Sequence, residues 1–502
     1  MPARTPRLST PSTAPTATKL RDSTLSAFSS TSNDVITMKK ILLPALVGTA
    51  LALTSCDDKL DITPKGMTTL DNVADLELLL NQEYAFGTGP LNDIGMVCND
   101  GFPAWYDMSE LLASPLTLEY AYVTYDESID RATIAESDSR YNSLYRQIYY
   151  CNVITDKAPD ATGSDAVRNL IIAEARVKRA YFHYLLVNIY AKQYDEATAA
   201  QLGGVPYVNY INMEETKEKN TIAEVYANIL DDCSDDVIAV LPDNTNVMRA
   251  DKAFGNAVRA KVLMQMKRYD EAARYAAAAL RYNNNLENRS ATMTTGSWEL
   301  PWDNGNNYLY AGGGARVSLT YTCMSKELAA LFSPDDFIRK YETGWNSLPT
   351  WEDAAVEYAY PGGMIYTAFS NVIFNNYGIR TEDMYYLLAE TSIRGGQIDD
   401  GLNYVDMVQM RRIDGYTALK GSGLSQTQAM KKMQEAKKVE MYGTYNNFFD
   451  CKRWNTEPDY RATITRDLGD KGTYSISPDS PLWVIPFPAN ATRYNPSLTQ
   501  NY

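Results

Sequence analysis

The sequence predicts a mostly α-helical fold in which paired helices form a scaffold and long, loop-rich, irregular segments are inserted between them. In several stretches, apolar residues recur every three or four positions, which places them on one face of a helix. No stretch alternates strand and helix patterns as a parallel α/β sheet requires. A chain of 502 residues is long enough to bury a large core.

Most of the clear helical patterns lie in the first half of the chain. Asp71 is the expected N-cap of a helix that continues to Leu80. Residues 86–106 are rich in Gly and Pro and are expected to form a loop. Apolar periodicity predicts further helices over 140–150, 165–192 and 222–240.

Two later segments, 253–280 and 385–410, share an internal layout. Ala260 and Ala272 in the first are as far apart as Ala389 and Gly401 in the second. Small residues at these positions let two antiparallel helices approach closely. A plain helical hairpin explains one such match, whereas two matches with equal spacing favour a tetratricopeptide-like (TPR-like) pair.

The stretch between these two pairs, residues 283–378, has a different composition. It contains Gly and Asn clusters, little helical periodicity and four of the seven tryptophans. A long segment of this kind is usually functional or irregular rather than scaffold. We refer to it as the aromatic insertion.

The segment from Met38 to Cys56 predicts a lipoprotein export signal. Its apolar run over 41–53 is too short for a bilayer core, which needs about 20 helical residues, but it suits a secretory signal. Leu53-Thr54-Ser55-Cys56 resembles a bacterial lipobox, in which the cysteine is acylated and becomes the first mature residue. An ordinary signal peptide that happens to precede a cysteine is the alternative.

These patterns divide the chain into four expected parts. Residues 1–37 are Ser/Thr-rich and cannot build a core, so Met38 is the expected start. The other three parts are a signal peptide over 38–55, an N-terminal helical region over 56–240 and a C-terminal region over 241–502, which contains the helix pairs and the aromatic insertion.

Charge and reactive residues restrict the possible functions. The chain has 47 basic and 62 acidic residues, a net charge of −15, which repels nucleic acid. The cysteines after Cys56 are odd in number and form no C-x-x-C motif, so neither a zinc site nor a redox pair is indicated. The single histidine, His183, lies in a helical pattern and is expected to pack there rather than to catalyse.

Longer motifs occur in the C-terminal third. The segment 440–454, which ends in Phe449-Asp450-Cys451-Lys452-Arg453-Trp454, resembles the Phe-Asp-x-x-Arg-Trp helix of the SusD/RagB family. Trp483-Val484-Ile485-Pro486-Phe487-Pro488 and the tail from Asn495-Pro496 to Gln500-Asn501 resemble the closing motif of that family. Asn447 departs from the pattern, which commonly has Arg there. Weaker matches, such as Gly204-Val205-Pro206, extend the resemblance over 56–502.

The resemblance implies an outer-membrane lipoprotein built on TPR helices, anchored in the lipid through acylated Cys56 and facing the cell exterior. Asp57-Asp58 resemble the surface-export signal of the family. Its members carry glycans to a TonB-dependent transporter of the SusC type and have no catalytic activity, and some take peptides instead. The resemblance therefore implies no catalytic residue, cofactor or metal.

The glycan contacts of the family lie in variable loops, so no ligand residue is transferred by motif. A sugar packs its apolar face on a flat aromatic ring, and its hydroxyls need carboxylate or amide partners. The expected ligand residues are therefore loop aromatics with polar helpers, although each tryptophan could instead belong to the core. They are Trp105, Tyr106, Trp302, Tyr308, Tyr310, Trp345 and Trp351, with Asp100 or Asn307.

Two other tryptophans, Trp454 and Trp483, lie in the packing motifs of the family and are assigned to the core. Two further function classes remain open. A surface glycoside hydrolase would need two carboxylates across a cleft, and with 62 acidic residues the sequence neither finds nor excludes such a pair. A TPR adaptor for protein partners would usually stack more repeats without an aromatic insertion.

Overall fold

Long helices carry most of the fold in the computed structural model. The model describes residues 70–81, 92–103, 108–212, 214–290, 307–312, 322–340, 352–353, 364–365 and 375–502. All of these residues belong to one compact unit, Thr68–Tyr502. The predicted export signal and Cys56 lie outside the described residues.

The helices follow one another along the described chain, and most are separated by short connections. They are α1 (Val73–Leu78), α2 (Asn92–Val97), α3 (Met108–Leu112), α4 (Leu118–Thr124), α5 (Arg131–Ile134), α6 (Ser139–Lys157), α7 (Asp165–Tyr190), α8 (Ile222–Asp232), α9 (Asp235–Val240), α10 (Lys252–Gln265), α11 (Tyr269–Tyr282), α12 (Lys326–Ala329), α13 (Phe337–Lys340), α14 (Thr381–Arg394), α15 (Ile398–Gln409), α16 (Gln426–Glu440), α17 (Asn446–Asn455) and α18 (Ala489–Thr492).

The described strands are short and pair only in antiparallel fashion. They are β1 (Gly101–Pro103), β2 (Tyr308–Tyr310), β3 (Thr322–Met324), β4 (Glu352–Asp353), β5 (Met364–Ile365), β6 (Ile379–Arg380), β7 (Ile464–Asp467) and β8 (Thr473–Ile476). One sheet has the order β1-β3-β5-β4, β2 pairs with β6, and β7 pairs with β8. The prediction of a mostly helical fold is confirmed.

Helix α7 lies at the centre of the main core. From Val177 to Tyr190 every side chain is buried, and α6 and α8 pack against it. His183 is fully buried here: its Nδ1 lies 2.9 Å from the carbonyl oxygen of Arg179, and its Nε2 accepts a hydrogen bond from the Val208 amide at 3.0 Å. Burial lowers the pKa of His183 to about 3. The prediction that this histidine is a packed helix residue is confirmed.

The two predicted helix pairs are present as α10 with α11 and α14 with α15. Gly401 on α15 lies so close to α14 that a Cβ atom there would come within 2.7 Å of the Ala389 carbonyl oxygen and 2.5 Å of the Ile393 side chain. A small residue is therefore needed at this contact, as its spacing from Ala389 indicated. The TPR-like character of the pairs stays a prediction.

Three local predictions were wrong. The N-cap of α1 is Asn72 rather than Asp71, because the Asn72 side chain accepts the Asp75 amide. The expected helix over 222–240 breaks after Asp232, and Ser234 begins the short helix α9. Within the expected loop over 86–106 the chain forms α2 and β1: Gly95 lies inside α2, and Gly101 and Pro103 are the two end residues of β1.

The two C-terminal tryptophans are packed as predicted. Trp483 is buried, with its ring centroid 5.7 Å from that of Phe448. Trp454 is partly buried and donates from Nε1 to Glu390 at 2.9 Å. Cys98, Cys151, Cys233 and Cys451 are free thiols. Within the described ranges, no helix has the length and apolarity needed to span a membrane.

Candidate functional site

The residues predicted to contact a ligand divide into two groups. Asp100, Asn307, Tyr308 and Tyr310 lie in the described part of the chain. The other five lie outside the described residues, so only the strands that flank them carry information about their position. They are Trp105, Tyr106, Trp302, Trp345 and Trp351.

In the four-stranded sheet, the strand that precedes Trp105 and the strand that follows Trp351 have these residues' attachment points at the same end of the strands. Phe102, Cys323, Ile365 and Glu352 form one row across β1, β3, β5 and β4. Because neighbouring strands are antiparallel, the chain leaves β1 and enters β4 at the same end of the strands, although β1 and β4 are the two outer strands of the sheet. Three strand spacings of about 4.8 Å separate these points by roughly 14 Å.

Two of the predicted ligand residues are attached at this end of the strands. Trp105 follows the end of β1 by two residues, and Trp351 is the residue immediately before β4. Their attachment points therefore lie at the same end of the strands although the residues are far apart in the chain. The sequence alone gave no signal of this, since strands of two or three residues leave no clear alternation pattern.

Strand β1 is held at its base by hydrogen bonds to distant residues. The Ser325 amide donates to the Asp100 carbonyl at 2.9 Å, and the Ser325 hydroxyl donates to the Asn99 carbonyl at 2.7 Å. Arg466 is fully buried and donates to the Asn99 side chain at 3.0 Å and to the Tyr122 carbonyl at 2.8 Å. The start of β1 is thus tied to β7 and α4.

Asp100 is an interior residue. Its Oδ2 accepts a hydrogen bond from Asn447 at 2.8 Å, and Lys438 Nζ lies 3.8 Å from Oδ1. Burial raises the pKa of Asp100 to about 6, although Lys438 and the Asn447 hydrogen bond oppose that shift. We call Asp100, Lys438 and Asn447 the Asp100 anchor. Asn447, which replaces the common arginine of the family pattern, here supplies an amide donor to a buried carboxylate.

The other three described candidates lie on or next to β2. Tyr310 is fully buried, and its ring stacks on Phe254 with centroids 4.2 Å apart. Tyr308 is half-buried and packs against Val247 and Ala311, and burial raises its pKa to about 12. Asn307 is buried and donates to both carboxylate oxygens of Glu382, at 3.1 and 3.0 Å.

Glu382 belongs to a buried network of charges at the start of α14. Arg412 is 2.7 Å from Glu382 and 2.8 Å from Glu440, and Glu440 also contacts Arg380 at 3.0 Å and Arg289 at 3.3 Å. Burial opposes ionisation of Glu440, but the three arginines outweigh it and hold its pKa well below the usual range. We call this group the Glu382 anchor.

The same network contains three carboxylates that approach one another as metal ligands do. Oxygen atoms of Glu287, Glu382 and Glu440 lie within 4.8 Å of each other. Arg412 contacts all three residues, at 3.5, 2.7 and 2.8 Å. The guanidinium groups already supply the positive charge that a metal ion would bring, so the cluster acts as a structural anchor.

These positions correct part of the predicted contact set. A stacking ring must offer a free face to its ligand, and Tyr310 offers none, while Asp100 and Asn307 are engaged as anchors. We therefore leave these three residues out of the contact set, and the half-buried Tyr308 is its one remaining described member. Sequence reasoning took their Gly- and Asn-rich surroundings as signs of an exposed loop, but buried polar anchors occur in the same context.

Sequence reasoning also passed over two exposed tyrosines. Tyr149 follows Tyr141 and Tyr145 at intervals of four residues on α6, which reads as a buried helix face, and Tyr210 follows the Gly203–Pro206 stop. In the structure both side chains are exposed.

Two family models match the chain and together cover most of it. A model described as starch-binding associating with outer membrane matches residues 70–264, and the SusD family model matches residues 274–502. No curated protein matches the chain by sequence.

Solved structures of low sequence identity share its fold. A SusD superfamily protein from Bacteroides thetaiotaomicron has a TM-score of 0.65 at 17% identity, with 86% of this chain and 100% of that chain covered. A SusD-like carbohydrate binding protein from Bacteroides vulgatus gives 0.60 at 16%, covering 85% and 97%. Surface glycan-binding protein A from Bacteroides uniformis gives 0.63 at 16%, covering 85% and 99%.

Proposed function

Because the chain belongs to the SusD/RagB family, we propose that it is a cell-surface glycan-binding lipoprotein that captures oligosaccharide and delivers it to a SusC-type TonB-dependent transporter. The matched model describes starch binding in association with the outer membrane. Two of the structural neighbours are named for carbohydrate or glycan binding. The carbohydrate-binding role follows from the family, whereas the lipid anchor and the transporter are the proposed parts.

The end of the four-stranded sheet at which the chain leaves β1 and enters β4 is the observation that best supports a binding site here. The attachment points of Trp105 and Trp351 both lie at that end, roughly three strand spacings apart. A distance of about 14 Å suits an oligosaccharide of a few rings better than a single sugar. Loops that carry ligand contacts are normally positioned by rigid elements, and the Asp100 anchor holds this sheet at β1.

The chemistry of the described interior supports binding rather than turnover. A glycosidase needs one carboxylic acid and one carboxylate facing each other across a cleft. The carboxylates of Glu287, Glu382 and Glu440 do lie close together, but they are paired with arginines in the interior. Both ring nitrogens of His183 are engaged with backbone groups. We therefore propose no catalytic activity.

The test of the ligand class uses the full-length protein in native gels cast with separate polysaccharides: amylopectin, xylan, mannan and pectin. Retarded migration in one or more of these gels, without release of reducing ends, is the expected result. Peptide binding is the second candidate, and a mixed tryptic digest of casein provides its probe by calorimetry. Heat of binding from the digest, with no retardation in any gel, would assign a peptide ligand instead.

Anchoring has its own test. Cys56→Ala should move the protein from the detergent phase of a Triton X-114 separation to the aqueous phase, because two or three acyl chains are lost. It should also remove the protein from the protease-accessible surface of whole cells. Cys451→Ala is the matched control, since that thiol lies in α17. Unchanged partitioning of the Cys56 variant would contradict the lipoprotein assignment.

A further inference from the structure

A surface segment, residues 206–210, lies against α6 and is distant in sequence from the aromatic insertion. The Tyr145 hydroxyl donates to the Pro206 carbonyl at 2.9 Å. The Asn152 side chain donates to the Val208 carbonyl at 3.0 Å and to the Tyr210 carbonyl at 3.4 Å. These bonds fix residues 206–210 along the helix without any regular strand pairing.

The geometry of α6 places Tyr149 between these contacts. Residues three and four positions apart share one face of a helix, so Tyr149 lies on the same face as Tyr145 and Asn152. That face meets residues 206–210. Yet Tyr149 is 40% exposed and Tyr210 is 44% exposed. Both side chains are therefore open to solvent, and the Tyr210 backbone lies against the face of α6 that carries Tyr149.

Charged and amide groups hold Tyr210 in place. Lys217 Nζ lies 3.6 Å from its ring centroid, and the Tyr210 hydroxyl donates to Glu215 Oε2 at 3.0 Å. Asn212 and Lys217 donate to the same oxygen, each at 3.2 Å. No described residue donates to Glu215 Oε1, so this oxygen is available to accept from a ligand.

We propose that Tyr149 and Tyr210 form a second carbohydrate platform, with Glu215 and Asn212 as its hydrogen-bonding groups. This inference rests on the proposed glycan-binding function. An aromatic ring fixed on one face offers the other to the apolar face of a sugar. A carboxylate oxygen and an amide beside it match the hydroxyls of a sugar. Glu214, Glu215 and Glu218 outnumber Lys217 and Lys219 here, which disfavours phosphate-bearing ligands.

A second platform changes how a long polysaccharide binds more than how a short one does. When one chain reaches both platforms, the second contact becomes intramolecular and strengthens overall binding. A trisaccharide occupies only one platform at a time. Loss of Tyr149 and Tyr210 should therefore weaken binding of a polymer while a trisaccharide at the main site binds as before.

The test compares three full-length variants with the wild type on the polysaccharide that retards the wild type most. Tyr149→Ala with Tyr210→Ala should raise the apparent Kd for the polymer about fivefold or more, with an unchanged Tm. Tyr282→Ala is the matched control, because Tyr282 is also 40% exposed and lies 5.8 Å from a lysine ammonium, Lys252. It should bind as wild type. The third variant, Trp105→Ala with Trp351→Ala, reports on the main site.

The outcomes separate this platform from the proposed function. If the tryptophan variant loses binding while the tyrosine pair and wild type bind alike, the platform is refuted and the glycan function stands. If the wild type binds none of the polysaccharides, both are refuted. If the tyrosine pair keeps full polymer affinity but no longer co-purifies with the transporter, the surface is a protein contact and the sugar assignment is overturned.

Discussion

Two buried carboxylate anchors, one next to β1 and one next to β2, are compensated very differently. In the Asp100 anchor one ammonium lies 3.8 Å away, so burial dominates and raises the pKa of Asp100 to about 6. In the Glu382 anchor three arginines approach Glu440 to between 2.8 and 3.3 Å, so charge pairing dominates and lowers its pKa. The number and distance of the cations, rather than depth alone, decide the sign of the shift.

The comparison assigns different roles to the two anchors. In the Glu382 anchor, pairing with three arginines lowers the pKa of Glu440, so its charge is kept at neutral pH and supports α14 and β2. The Asp100 anchor carries a carboxyl whose charge costs free energy in the folded state above its pKa, so its contribution depends on pH.

The largest effect is expected from Arg412→Met. It leaves Glu382 and Glu440 buried with one fewer cation, and breaking a buried ion pair on one side costs about 3–5 kcal/mol. Urea unfolding at pH 7.5 measures the loss. Arg268→Met, which breaks an exposed pair with Glu271, is the control and should cost less than about 1 kcal/mol. Equal losses in the two variants would show that the Glu382 anchor is no stronger than a surface pair.

The next effect concerns pH. The pKa of Asp100 is raised on folding from 3.8 to about 6, so between these values the folded state binds more protons than the unfolded state. The free energy of unfolding attributable to this group therefore falls as the pH rises from about 4 to 6, and stays low above 6. Asp100→Asn removes that penalty. The variant should gain up to about 3 kcal/mol relative to wild type at pH 7.5, and the gap should close by pH 4.

Asp383→Asn is the control of opposite sign. Burial opposes ionisation of Asp383, but Lys261 at 2.8 Å and Arg380 lower its pKa on balance. Its carboxylate therefore stabilises the fold above its unfolded pKa, and this is lost only as the pH falls below about 4. The Asp383 variant should be less stable than wild type at pH 7.5. If Asp100→Asn behaves in the same way, the comparison between the anchors fails.

A smaller effect is expected at Asn307, which the structure moves from the ligand set to the Glu382 anchor. Asn307→Leu removes a donor to a charged carboxylate and should cost about 2 kcal/mol, while polysaccharide affinity stays the same. The exposed neighbour Asn284 serves as the control, and Asn284→Leu should change neither quantity. A variant that loses affinity but not stability would return Asn307 to the contact set.

The sequence predicted the parts of this fold that repeat along the chain. The periodicity of α7, α10 and α14 marked long helices, and the matched spacing of Ala389 and Gly401 indicated a close helix contact. It missed the break after Asp232, although the largely polar run over 231–236 interrupts the apolar pattern there and Ser234 is the N-cap of α9.

The anchors could not be predicted from the sequence. Asp100 and Asn447 are 347 positions apart, and no local pattern indicates that such residues meet. Composition showed that polar and aromatic residues cluster near the insertion, but it did not distinguish a ring that faces solvent from one like Tyr310 that stacks inside. The placement of the end of β1 and the start of β4 at the same end of the sheet likewise depends on strand pairing. Strands of two or three residues do not indicate that pairing in their local sequence.

The smallest expected effect on stability, and the most direct test of the account, is the paired substitution Trp105→Ala with Trp351→Ala. Native gels containing the polysaccharide that retards the wild type provide the measurement, with Tm recorded in parallel. We expect retardation to fall to that of a non-binding protein, because each stacking ring contributes about 1–3 kcal/mol, while Tm changes little. Full retardation by the variant would contradict a glycan site at the end of the sheet where β1 ends and β4 begins.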